Sequence, residues 1–112
     1  MPESTLPSID ARDALRLARF GEAVLIDFRK PEAVAASGEV IRGARRRDPF
    51  SFSHDDPLTA DPRSLVVFCA RGHEVGQFAC ALLLLHGRDA RYVRGGFEAL
   101  KAAGAPLEPV AC

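Results

Sequence analysis

Two short apolar runs, Ala23-Val24-Leu25-Ile26 and Leu65-Val66-Val67-Phe68, each end at a polar or reactive residue, Asp27 in the first and Cys69 in the second. A strand with one wet face alternates apolar and polar side chains. An unbroken apolar run instead implies a strand covered on both faces, as in a parallel sheet between two layers of helices. Groups just past the carboxyl end of such a strand are candidates for a site.

The segments between these runs supply the covering helices. Residues 8 to 19 read as a helix, with Ser8 as its cap, Ile9, Leu15 and Ala18 at roughly helical spacing, and Gly21 as its stop. Pro31 to Ala36 reads as a short helix with proline in its first turn. Residues 48 to 63, broken by Pro49, Pro57 and Pro62, read as a loop with at most one helical turn. A helix is expected from Val75 to His86, a strand over Ala90 to Val93, a turn at Gly95-Gly96, and a last helix from Phe97 to Ala103 stopped by Gly104. Strands alternating with helices predict an α/β fold, a central mostly parallel sheet with helices on both faces.

A chain of 112 residues is the size of one domain. Its 47% hydrophobic and 27% charged residues lie near the globular average and exclude a disordered chain. Fifteen basic residues balance fifteen acidic ones, so the molecule as a whole offers no field that would gather nucleic acid or anionic membrane. The cluster Arg42, Arg45, Arg46 and Arg47 lacks an aromatic stacking platform and reads as a solvated face or a docking surface for an acidic protein partner, not as a nucleic-acid site. The longest apolar run, Phe78 to Leu85, is too short to span a bilayer, and the amino terminus lacks the pattern of a secretory signal.

Cys69, Cys80 and Cys112 fit neither a disulfide framework nor paired zinc ligands, so a reducing, cytoplasmic setting without a bound metal is expected. His54 and His86 lack partners at metal-ligand spacing and read as structural or surface residues. Cys80 sits in the apolar stretch Phe78 to Leu85 and reads as packing. Cys112 ends the chain and is at most a resolving partner for an oxidised Cys69.

The loop Cys69-Ala70-Arg71-Gly72-His73-Glu74-Val75 carries the candidate chemistry. A cysteine attacks only as its thiolate. Where a strand turns sharply into a helix, successive backbone amides form a nest and the helix amino terminus adds partial positive charge, an arrangement that holds a thiolate, a persulfide or an oxyanion. Arg71 and His73 add donors, and Gly72 gives the tight turn a residue without a side chain to clash. The alternative is that Cys69 is a small core residue at a strand end.

With this loop in view, the chain resembles a rhodanese domain over roughly residues 6 to 109. The apolar strand ending Asp27-Phe28-Arg29 is similar to the family's strand ending in Asp-x-Arg, and Gly43-Ala44 to the end of its Gly-His-Ile-Pro-Gly-Ala stretch. Val66-Val67-Phe68-Cys69-Ala70-Arg71-Gly72 is similar to its strand entering the active-site loop. Arg94-Gly95-Gly96-Phe97 and Ala102-Ala103-Gly104-Ala105-Pro106-Leu107 are similar to its closing motifs.

The resemblance implies a three-layer rhodanese-like fold and a cytoplasmic sulfurtransferase working through a Cys69 persulfide. Its donor would be thiosulfate or another persulfide, and its acceptor a thiol or cyanide-like nucleophile, with a protein acceptor as an alternative; no metal or organic cofactor is implied. Cys69 would be the nucleophile, the backbone of Ala70, Arg71, Gly72, His73, Glu74 and Val75 the anion cradle, and Asp27 with Arg29 a pair supporting the loop from below. For Arg29 the competing reading is a surface ion pair worth under about 1 kcal/mol.

Several positions depart from the family pattern. Glu74 stands where many members carry arginine, Gly38-Glu39-Val40-Ile41 replaces Gly-His-Ile-Pro, and the usual tryptophan of the last helix is replaced at or near Leu100. A carboxylate at Glu74 repels a dianionic donor and favours a thiol-bound or less charged one, with His73 offsetting part of that charge. A phosphatase or arsenate reductase is disfavoured, because related phosphatases place a clamping arginine six residues after the cysteine, where this chain has Val75. A module in which Cys69 senses redox state or binds a protein without turnover is the alternative from another class.

Overall fold

The computed structural model describes residues 6–53, 55–71 and 74–110. A two-residue strand, β1 (Ser8–Ile9), opens the chain and is followed by α1 (Ala11–Arg19). The expected cap is therefore displaced. Ser8 and Ile9 lie in the sheet, and Asp10 caps the helix by accepting a hydrogen bond from the Arg12 amide at 2.8 Å. Ser8 loses the role because Ile9 is pulled into parallel register with Val93, leaving Asp10 as the last extended residue.

The first apolar run forms β2 (Ala23–Asp27), which takes in the polar Asp27 at its end, and α2 (Pro31–Ser37) starts at a proline that needs no amide partner in a first turn. Two short strands, β3 (Glu39–Ile41) and β4 (Arg45–Arg46), lead to the proline-punctuated loop, whose single helical turn spans Pro57–Ala60. Then come β5 (Ser64–Phe68), α3 (Glu74–Leu85), β6 (Ala90–Val93), α4 (Gly96–Ala102) and β7 (Leu107–Pro109).

The main sheet has five strands in the order β1-β6-β5-β2-β4, all neighbours parallel. In its two central strands every other residue faces one side. Leu25, Val66 and Phe68 pack with Ala11 and Ala14 of α1 and with Phe97 and Leu100 of α4. Val24, Ile26, Leu65 and Val67 pack with Ala79, Cys80 and Leu83 of α3. The unbroken apolar runs are thus two interleaved period-two patterns, each serving its own core. This is the α/β arrangement expected, a parallel sheet with helices on both faces.

A second sheet was not expected. β3 and β7 pair antiparallel, Glu39 opposite Pro109 and Ile41 opposite Leu107. Three residues with a charge and a proline give no recognisable strand pattern. The pairing is set by position, since the chain after α4 turns back beside β3 and the Arg42 amide donates to the Pro106 carbonyl at 2.8 Å. Among the described residues no helix is long and apolar enough to cross a membrane.

Candidate active site

Cys69 is the first residue beyond β5, so the sheet itself fixes where its thiol emerges; the residue is buried, at 7% exposure. Amides from the first turn of α4 hold the backbone here. Phe97 N donates to the Cys69 carbonyl at 2.8 Å, and Glu98 N to the Ala70 carbonyl at 3.3 Å. These are helix-start donors without a partner in their own helix, so the loop satisfies α4 while α4 positions the loop. Gly95 and Gly96 make the sharp entry, with φ of 81° and 58°. A Cβ on Gly95 would stand 2.7 Å from that of Ala99.

On the other side, Cys69 meets α3 at Gly76. A Cβ built on that glycine would lie 3.3 Å from the Cys69 Sγ and 3.5 Å from its amide nitrogen. No feature of the sequence singles out this glycine, because its contact is made across the strand-to-helix turn.

Beneath the loop, Asp27 and Arg29 are 1% and 4% exposed. Arg29 donates through Nε to both Asp27 carboxylate oxygens at 3.1 Å and through a terminal nitrogen to Oδ2 at 2.9 Å, and its backbone amide donates to Oδ1 at 2.9 Å. The remaining donors reach the Ser37 hydroxyl at 3.0 Å and the Glu39 carbonyl at 2.9 Å. The guanidinium carbon sits 3.9 Å from the centroid of the Phe97 ring. Arg29 therefore ties the ends of β2 and α2, the start of β3 and the first turn of α4 into one assembly, which is not the geometry of a surface ion pair.

A pocket of about 420 Å³ opens above this assembly. Cys69, Ala70, Arg71 and Val75 line one side, and Phe28, Arg29, Lys30 and Ala33 the other. Four of the loop residues expected in the site are thus brought together with Arg29, whereas Asp27 lies behind Arg29 and does not line the pocket. Gly72, His73 and the Glu74 side chain, with His54 and Cys112, fall outside the described residues. Phe28, Lys30 and Ala33 were not anticipated. For Phe28 and Lys30 the signal was present, since they flank Arg29 at the strand end, whereas Ala33 comes from α2.

The other titratable groups stand apart from the pocket. Cys80, on α3, is fully buried, and burial pushes its thiol up to about 11. The arginine cluster does not act as one patch: Arg47 pairs with Asp56 at 2.7 Å and Arg42 with Glu108 at 3.6 Å, while Arg45 and Arg46 lie along β4. Among the described residues no group of histidine, cysteine and carboxylate side chains can hold a metal ion.

A cysteine at the carboxyl end of a central strand, cradled between two helices of a parallel α/β sheet, defines a class of protein as well as a fold. The family model described as rhodanese-like domain matches residues 10–103, and the chain belongs to that family. None of the curated proteins matches it. Among solved structures, a protein of unknown function from Rhodopseudomonas palustris, described as a possible tyrosine phosphatase, is 20% identical with a TM-score of 0.76, covering 96% of this chain and 99% of its own. A full-length protein from Lactobacillus plantarum is 25% identical with a TM-score of 0.76, over 92% and 88%. The rhodanese-like domain of an Anabaena sp. protein is 24% identical with a TM-score of 0.74, over 93% and 80%. The first and third of these likenesses speak for the fold alone.

Proposed function

We propose that the protein is a sulfurtransferase that carries sulfane sulfur on Cys69. The observation that supports this most is the placement of Cys69 in the wall of the pocket, at a strand end, between the first turn of α4 and Gly76 of α3. In the first half-reaction the Cys69 thiolate attacks the outer sulfur of a donor. A new S–S bond forms as the donor's own bond to that sulfur breaks, and sulfite or a thiolate departs with the electron pair. In the second, a thiol or other thiophilic acceptor attacks the outer sulfur of the persulfide and the Cys69 thiolate is released.

In this reading the backbone from Ala70 to Val75, including Gly72, His73 and Glu74, holds the anionic sulfur. Asp27 and Arg29 position the loop through Phe97 and take no part in bond making. The two half-reactions balance without a metal or organic cofactor, and a reducing compartment such as the cytoplasm suits a carrier thiol. Lys30 and Arg71 at the pocket wall favour an anionic donor, and Phe28, Ala33 and Val75 give an organic persulfide an apolar surface to lie on. A phosphatase reading is disfavoured, because Val75 stands six residues after Cys69, where related phosphatases place a phosphate-clamping arginine.

The test is to incubate reduced protein with thiosulfate, and separately with a low-molecular-weight persulfide, and to weigh it intact. The expected result is a gain of roughly 32 Da, the mass of one sulfur, that is absent from Cys69→Ser. A Cys69 that alkylates readily yet takes sulfur from neither donor would overturn the reading and leave a redox-sensing or binding module in its place.

A further inference from the structure

Away from Cys69, a groove of about 860 Å³ runs between α1, the start of β2, the turn before β4 and the turn after α4. Its walls carry six arginines, Arg12, Arg16, Arg19, Arg42, Arg45 and Arg63, and no lining residue is acidic. In a chain of zero formal net charge this is a strong local segregation. Arg16, Arg42 and Arg63 have carboxylate neighbours in Asp13, Glu108 and Asp61. Arg12, Arg19 and Arg45 have none among the described residues, and all three are exposed.

We propose that this groove docks an extended acidic peptide segment of a protein partner. Three features select that occupant. The arginine forks match carboxylates bidentately. The floor, from Leu15, Ala18, Ile41 and Pro106, is apolar and holds no aromatic ring, which suits interspersed aliphatic side chains and not stacked bases. The arginines are also spread along the groove, from α1 past the turn before β4 to Arg63 ahead of β5, which suits an extended segment with several carboxylates and not a compact ligand with one. Ala23, Val24 and Leu25 of β2 are buried, so side chains and not the sheet edge hold the segment.

The groove and the Cys69 pocket share no lining residue, so a tethered partner would leave the Cys69 pocket free.

The test uses a fluorescein-labelled decapeptide of alternating glutamate and valine, read by fluorescence anisotropy against the full chain. Expected is saturable binding that weakens as salt rises from about 50 to about 300 mM, and that falls about tenfold or more in Arg19→Glu/Arg45→Glu, with that variant's circular dichroism and melting unchanged. Arg12→Ala serves as a milder second variant should the double substitution disturb α1. Equal affinity in wild type and a folded variant, or tighter binding of a labelled thymidine decanucleotide than of the peptide, would overturn the proposal. So would concentration-dependent self-association abolished by the same substitutions, which would assign the groove to a second copy through its segment of Asp48, Asp55, Asp56 and Asp61.

Discussion

The Arg29 guanidinium lies against the face of Phe97, its central carbon 3.9 Å from the ring centroid, and the amide of that same Phe97 holds the Cys69 carbonyl. A buried ion pair is thereby linked to the loop through one aromatic residue. Removing the arginine leaves the Asp27 carboxylate uncompensated in the core, so Arg29→Ala is expected to cost about 3 to 5 kcal/mol in urea unfolding. The double variant Asp27→Asn/Arg29→Ala should recover part of that loss. A cost below about 1 kcal/mol would mean that the pair behaves as an exposed one.

Gly76 gives a second, separable prediction. In Gly76→Ala the new methyl stands 3.3 Å from the Cys69 Sγ, and a persulfide needs room for a sulfur about 2 Å further out. On the sulfurtransferase reading, sulfur loading should slow about tenfold. Stability should change by less than about 1 kcal/mol, because the helix gains from losing an interior glycine what the contact costs. Identical loading rates would show that the thiol shifts aside freely and that the close approach carries no functional weight.

What was legible in the sequence followed from how locally each signal is encoded. The runs ending at Asp27 and Cys69 announced buried parallel strands because covering both faces of a strand demands consecutive apolar residues, and residues 90 to 93 formed the strand expected. Ser8 lost its capping role to Asp10, and β7 went unseen, because both outcomes depend on a partner strand, Val93 for Ile9 and Ile41 for Leu107. The pocket shows the same division. Cys69, Ala70, Arg71 and Val75 are contiguous or nearly so, while Phe97, which holds the Cys69 carbonyl, and Phe28, Lys30 and Ala33, across the pocket, come from elements that only the fold brings together.

Asp56 anchors the long loop. Its carboxylate accepts from the Leu58 amide at 2.9 Å, capping the single turn, and from Arg47 Nε at 2.7 Å. Partial burial raises its pKa, but the Arg47 hydrogen bond, the Leu58 amide and the Arg47 charge together outweigh it and hold the carboxyl below the usual carboxylate range. A depressed folded-state pKa contributes stability that is complete above the unfolded value and disappears as pH falls through the folded one. Asp56→Ala should therefore cost about 0.5 to 2 kcal/mol at neutral pH, and the gap between variant and wild type should close in acid, below about pH 4. A gap that persists undiminished in acid would assign the loss to packing instead of charge.

Cys80 supplies a test at the opposite end of the pH scale, and one that isolates burial as the cause. Its thiol is pushed up to about 11 in the folded protein, whereas an exposed thiol titrates near about 8.5 to 9. Between those values the unfolded chain has released this proton and the folded chain retains it. Unfolding is then favoured by rising pH, and stability should decline from about pH 9 to 11 and flatten above. Other groups titrate in the same range, so the readout is the difference between wild type and Cys80→Ala: the substitution lowers stability at neutral pH by opening a small cavity, and that deficit should shrink as pH rises. Iodoacetamide should label Cys80 only after unfolding. Parallel stability curves for the two proteins, or labelling of Cys80 in the native state, would mean that α3 opens often enough to expose the thiol and that the α3-facing core is looser than its packing indicates.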